Sequence, residues 1–206
     1  MIHETYSPFD QKLKFGGILK NPYISKLHRH LLDGFKVRRL GKHVRRLSIG
    51  SLLDICCGLG EYSTLGIAGY VGLDNDHASI AFARKAYKSY KFVHADAQCL
   101  PFGNEAFDGV LFAGSAHHFS DMEFEIVIKE IERVARKFII IADIIRTSQQ
   151  GRLSNLLYNL DRGRNIRTKE QMQKILCAAI SRPIDYQATY KTFPGFYTHA
   201  LFIYQK

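Results

Sequence analysis

Between residues 51 and 143 the chain alternates short apolar runs with stretches in which apolar residues recur every three or four positions. The runs are Leu52–Cys56, Tyr70–Asp74, Phe92–Ala95, Phe107–Ala113 and Lys137–Asp143, and each closes on an acid or a glycine-rich turn. They are apolar on both faces, which predicts buried strands rather than half-exposed ones. The periodic stretches predict helices. Asp76 is placed to cap one with Ile80, Ala83, Ala86 and Tyr87 on its inner face, and Ser120-Asp-Met-Glu123 is a capping box ahead of Phe124, Val127, Ile128, Ile131 and Val134. Alternating strands and helices predict a parallel sheet covered on both faces.

The tail has a different pattern. Gln150 to Asn159 reads as a helix, and Thr168-Lys-Glu-Gln171 as a second capping box, ahead of Met172, Ile175, Leu176 and Ala179. Pro183 to Tyr190 and Tyr197 to Tyr204 read as strands joined through Phe193-Pro-Gly195. The predicted fold is therefore α/β: a Rossmann-like seven-stranded, mostly parallel sheet with an antiparallel edge hairpin and helices on both faces. Residues 1–50 read as a basic helical cap or lid, broken at Gly16-Gly17 and Asn21-Pro22, packed on a single domain over 51–206.

A length of 206 residues suits one domain with an adequate core. Charge is unevenly spread: residues 1–50 hold 11 Lys/Arg against 3 Asp/Glu, residues 51–143 hold 8 against 13, and residues 144–206 hold 10 against 3. The basic flanks favour anionic partners, or serve simply as solvated faces. Four cysteines without CxxC spacing fit buried or half-buried reduced thiols, and neither they nor His28/His30 suggest a metal site. Phe138–Ala142 is too short to span a bilayer, and the first ten residues lack a signal-peptide core. The expected location is cytoplasmic, or peripheral at a membrane surface.

The chemistry collects where strands end. In an open α/β sheet, ligands bind at the carboxyl ends of the strands. Asp54 and Gly58/Gly60 follow the first strand, with Asp74, Asp96, His117/His118 and Asp143 after the next four. A dinucleotide site needs Gly-x-Gly-x-x-Gly with an acid about 20 residues on. Here Ser63 holds the third position, and Asp54 within the strand end disfavours a pyrophosphate.

Asp54-Ile-Cys-Cys-Gly-Leu-Gly60 resembles the glycine-rich motif of class I S-adenosylmethionine-dependent methyltransferases, with Cys56 at the usual first glycine. Gly-Leu-Asp74, Ala-Asp-Ala97 with Leu-Pro-Phe102, and Phe-Asp108 leading to Ala-His-His118 are similar to the later motifs, in order. The stretch 51–143 resembles the small-molecule and lipid branch. Leu160–Thr168 and Tyr197-Thr-His199 resemble a poorly characterised bacterial subgroup of it. The resemblance implies that Asp54 faces the methionine amino group and that Cys56, Gly58 and Gly60 line its path. It implies further that Asp74 holds the ribose hydroxyls with Asn75 beside the adenine, that Asp96 and the Ala97 N–H take the adenine edge, and that Gly114 flanks the sulfonium. The helix expected between Gly60 and Tyr70 is barely two turns, shorter than usual in the family.

Methyl transfer is an in-line displacement that needs a base only when the acceptor must lose a proton. His117 and His118 stand where such a base would be, or pack structurally. Arg162, Arg164 and Arg167 form a candidate clamp for an anionic acceptor, or a solvated loop. Tyr6, Phe9, Phe15, Tyr23 and Phe35 line a lid over the acceptor, or a packing face. The expected activity is methyl transfer from S-adenosylmethionine, leaving S-adenosylhomocysteine, to a small-molecule or lipid-linked, anionic acceptor. An RNA methyltransferase is the alternative, weakened by the lack of an Asn-Pro-Pro-Tyr motif or RNA-binding module. A non-catalytic cofactor-binding partner or sensor is the third reading.

Overall fold

The strands are β1 (Ser51–Ile55), β2 (Gly69–Asp74), β3 (Lys91–His94), β4 (Phe107–Ala113), β5 (Ala135–Ile144), β6 (Ile184–Lys191) and β7 (Thr198–Gln205). They form one sheet in the order β3-β2-β1-β4-β5-β7-β6. β1 to β5 pair in parallel, and β7 runs antiparallel between β5 and β6. The strand order reverses between β1 and β4, and the crevice that reversal opens is the natural ligand position. The computed structural model describes residues 37–160, 164–192 and 195–206. Most of the basic N-terminal cap, and Arg162 with it, lies outside the described residues.

Among the described residues, the helical residues 37–44 and the helices α1 (His77–Ala86), α2 (Asp121–Val134), α3 (Arg152–Leu160) and α4 (Lys169–Ala179) accompany the sheet. The Asp76 carboxylate caps α1 by accepting the Ser79 N–H at 3.0 Å. Both capping boxes form, Ser120 with Glu123 and Thr168 with Gln171, so each helix start is satisfied by its own sequence. α1 buries Ile80 and Ala83, but it stops before Tyr87, which becomes its C-cap and leaves Ala86 exposed. The short helix expected after Gly60 is instead a 3₁₀ turn, Glu61–Leu65, closed by Gly66 at φ 75°. Left-handed glycines at both ends limit the segment to five residues.

The strand side chains alternate between two cores. Leu53, Ile55, Val110, Phe112, Ile139 and Ile141 pack with α2 and α4, while Leu52, Tyr70, Leu111 and Ile140 pack with α1 and with Leu40 and Val44 of the helical residues 37–44. The thiols are not uniformly sheltered: Cys57 is buried and Cys56 half-buried, but Cys99 and Cys177 are exposed. No helix among the described residues is long and apolar enough to cross a membrane. None of their His, Cys, Asp and Glu side chains cluster in a way that could hold a metal.

Candidate functional site

The turn after β1 is built on left-handed backbone. Cys56, Gly58 and Gly60 have φ of 56°, 54° and 78°. Gly60 has a second reason to be glycine: a Cβ there would meet the Phe92 ring at 2.7 Å. Cys56 adopts the same hand with a side chain, at a cost of roughly 1 kcal/mol. Burial, reinforced by the Asp74 and Asp54 carboxylates, pushes the Cys56 thiol far up. It is therefore a neutral packing group and not a thiolate nucleophile.

Asp74 holds this turn. Its Oδ2 accepts the Gly58 N–H at 2.7 Å and its Oδ1 the Asp76 N–H at 2.9 Å. One carboxylate thus ties the β1 turn to the start of α1. Asp54 is 1% exposed, and its Oδ2 accepts the Tyr70 hydroxyl at 2.6 Å. It sits beneath the turn, on the α1 side of the sheet with Leu52 and Tyr70. Burial first, and then Asp54, hold the Tyr70 phenol well above its ordinary range, which keeps it a neutral donor.

Asn75 and Asp96 are exposed on the same rim, after β2 and β3, and Ala97 beside Asp96 is buried. Asp96 Oδ1 accepts the Gln98 N–H at 2.9 Å, and the Asn75 carbonyl lies 3.0 Å from His94 Nε2. The structure therefore brings Asp74, Asn75, Asp96 and Ala97 together along the ends of neighbouring strands β2 and β3.

Across the crevice, Gly114 turns β4 outward at φ 74°, its N–H donating to the Ala142 carbonyl at 2.7 Å. His117 follows in a short 3₁₀ turn, Ala116–His118. Its Nδ1 lies 2.7 Å from Asp143 Oδ1, and its backbone N–H donates to Oδ2 at 2.9 Å. The ionised carboxylate only accepts, so the proton belongs on Nδ1 and Nε2 becomes the basic nitrogen. The pair is buried, while His118, its ring 4.2 Å away, is exposed. The sequence reading named Asp143 as one more strand-end acid without giving it a role, and only the fold sets it beside His117.

The three arginines separate. Arg162 lies outside the described residues, and Arg164 is exposed. Arg167 is 6% exposed and spends its guanidinium on the protein. It donates to Asp121 at 2.8 Å and to the carbonyls of Ala116, Phe119 and Asn165 at 2.9, 2.8 and 3.3 Å. It also lies over the Phe124 ring at 4.8 Å. Arg167 therefore latches the loop before α4 onto the His117 turn. The clamp expected of it is corrected: a guanidinium so occupied has no open fork to offer a ligand.

A cleft of about 730 Å³ lies at the opposite end of the sheet, lined by Glu105, Glu132, Arg133, Arg182 and Lys206 among others. Its charges are paired with one another, Glu132 with Arg182 and Glu105 with Lys206. Arg133 adds bonds to Glu130 and to the carbonyls of Leu100 and Phe102. That end staples the structure together, and the strand-end chemistry lies elsewhere.

Residues 52–137 match the family model described as a methyltransferase domain. A phthiotriol/phenolphthiotriol dimycocerosates methyltransferase of Mycobacterium tuberculosis is 35% identical over 141 residues, covering 65% of this chain and 47% of that one. A fatty-acid O-methyltransferase of Mycolicibacterium smegmatis is 35% identical over 92 residues, covering 41% and 33%. The chain thus spans less than half the length of these curated relatives. In fold it is similar to magnesium protoporphyrin IX methyltransferase from Synechocystis, solved with bound S-adenosylhomocysteine, at a TM-score of 0.65 and 18% identity over 95% of this chain and 89% of that one.

Proposed function

We propose that this chain, which carries a class I methyltransferase domain, transfers the methyl group of S-adenosylmethionine to a lipid-type acceptor. The carrying observation is the row Asp74, Asn75, Asp96 and Ala97 along the strand ends beside the left-handed turn. The residues present fit the cofactor. Each Asp74 oxygen takes one backbone N–H, and a carboxylate offers about four acceptor positions, so two ribose hydroxyls can be held without undoing the turn. Asn75 and Asp96 would flank the adenine. Asp54 beneath the turn favours the cationic amino end, with Cys56, Gly58, Gly60 and Gly114 lining the path to the sulfonium. When bound, the cofactor supplies an electrophilic methyl group.

The chain's own part is to place the acceptor and, where needed, to remove its proton. His117 is the candidate base, with Asp143 fixing its tautomer and stabilising the imidazolium that forms, and with His118 beside it as the exposed second histidine. Arg164, with Arg162, is the remaining candidate for an anionic acceptor group. Relatives are named for phthiotriol dimycocerosates and for fatty acids, which supports a lipid-type acceptor. Residues 1–50 are read as a basic cap on the domain, and the location as cytoplasmic or at a membrane surface.

The test is incubation with methyl-labelled cofactor and separate lipid, small-molecule and RNA fractions. Label is expected in lipid, and label confined to RNA would overturn the reading. Asp143→Asn is expected to lower kcat about tenfold or more and to move the acid limb of the pH–rate profile. A profile identical to wild type would remove His117 as the base.

A further inference from the structure

We propose that the outer face of α3 docks on an anionic lipid bilayer, so that the acceptor is taken from a membrane surface. α3 carries apolar side chains on its outer face as well as its inner one. Its inner face buries Tyr158 with Ile144 and Ile166, and polar groups hold it there. The Tyr158 hydroxyl donates to the Ile145 carbonyl at 3.0 Å and accepts the Thr198 N–H at 2.9 Å, and the Ser154 hydroxyl donates to the Phe196 carbonyl at 2.5 Å. Its outer face carries leucines: Leu153 and Leu156 are each 54% exposed. Three residues apart, they project about 60° from one another and make one stripe.

The stripe has a basic border. Arg152 on the same helix and Arg146 just before it are exposed. Residues 144–170 hold 6 Lys/Arg against 2 Asp/Glu, and of these only Arg167 is turned inward onto Asp121 and backbone carbonyls among the described residues. Apolar side chains beside cations on a helix anchored from behind match a headgroup layer, where the leucines enter the acyl boundary and the arginines meet lipid phosphates. RNA would use the cations but has no place for two exposed leucines. Position agrees with purpose. α3 follows the end of β5, the end that holds Asp143 and His117, and Met122 in the first turn of α2, next to the His117 turn, is 72% exposed.

The proposal rests on the lipid-acceptor reading for its purpose but not for its test, which measures binding without turnover. The full chain is mixed with vesicles of phosphatidylcholine alone, or with about one-third phosphatidylglycerol, and sedimented. Binding is expected to the mixed vesicles and to be weak on the neutral ones. Leu153→Ser with Leu156→Ser should weaken it about tenfold or more, and Arg146→Gln with Arg152→Gln roughly twentyfold. An unchanged cofactor-induced rise in Tm shows that both variants are folded, and its absence in wild type counts against the methyltransferase reading alone. No vesicle binding by wild type overturns the docking face. So does binding that ignores the leucines, or tighter binding to a single-stranded RNA oligonucleotide that the leucine variant retains.

Discussion

The two sides of the sheet's reversal point use charged side chains differently. On the β1–β3 side a carboxylate holds nearby backbone: Asp74 reaches Gly58, 16 residues away, and Asp76, 2 away. On the β4–β5 side charged groups tie distant segments to one another. Asp143 and His117 are 26 residues apart, and Arg167 binds groups 46 to 51 residues back along the chain. The first arrangement shapes a turn and keeps acceptor positions for a ligand. The second spends its donors on the protein and holds a histidine in place. An acid in the first region and an arginine in the second are therefore expected to fail in different ways when removed.

Asp74→Ala sharpens the contrast most. If Asp74 accepts two ribose hydroxyls, as proposed, its loss is expected to weaken the cofactor by more than two orders of magnitude, since charged hydrogen bonds contribute about 1.5–3 kcal/mol each. Titration calorimetry reads this directly. Unchanged affinity would mean that the ribose is held elsewhere and that Asp74 only braces the glycine turn.

Arg167→Met comes next, and its effect is expected on stability rather than affinity. Asp121 is 79% exposed in its side chain, so the ion pair itself adds little. The cost comes from three carbonyls that lose a charged donor, about 2–3 kcal/mol after relaxation. Urea unfolding should show a lowered midpoint with an unchanged slope. Arg164→Met, at an exposed position, should stay within about 0.5 kcal/mol. A wild-type midpoint for Arg167→Met would return that arginine to the acceptor clamp.

The same division decides what could be read from the sequence. β4 falls on the expected run, Phe107–Ala113, and both capping boxes form, because a strand's apolar run and a helix's first turn are written within a few residues. Asp74 was legible for the same reason: it closes its own strand beside its own turn. The 3₁₀ turn at Glu61–Leu65 was not, because its length depends on glycine conformations at Gly60 and Gly66 that composition alone does not assign. Arg167 read as one of three loop arginines because nothing local marks it out. Its partners at Ala116, Phe119 and Asp121 become neighbours only when α4 packs on α2. Asp143 and His117 form a pair only once β4 and β5 align.

A smaller effect than that of Arg167→Met tests the turn itself, through two adjacent cysteines. Cys57 is 6% exposed and lacks the positive φ of its neighbour, so Cys57→Gly should cost about 2 kcal/mol in lost burial and added backbone freedom. Cys56→Gly loses a half-buried thiol and gains the same freedom, but it also releases the left-handed strain at φ 56°, about 1 kcal/mol. These contributions nearly cancel, and the Cys56 variant should unfold in urea within about 1 kcal/mol of wild type. If the two substitutions cost the same, the left-handed turn stores no strain. The Cys56 side chain would then be supporting the turn through its packing against the strand ends.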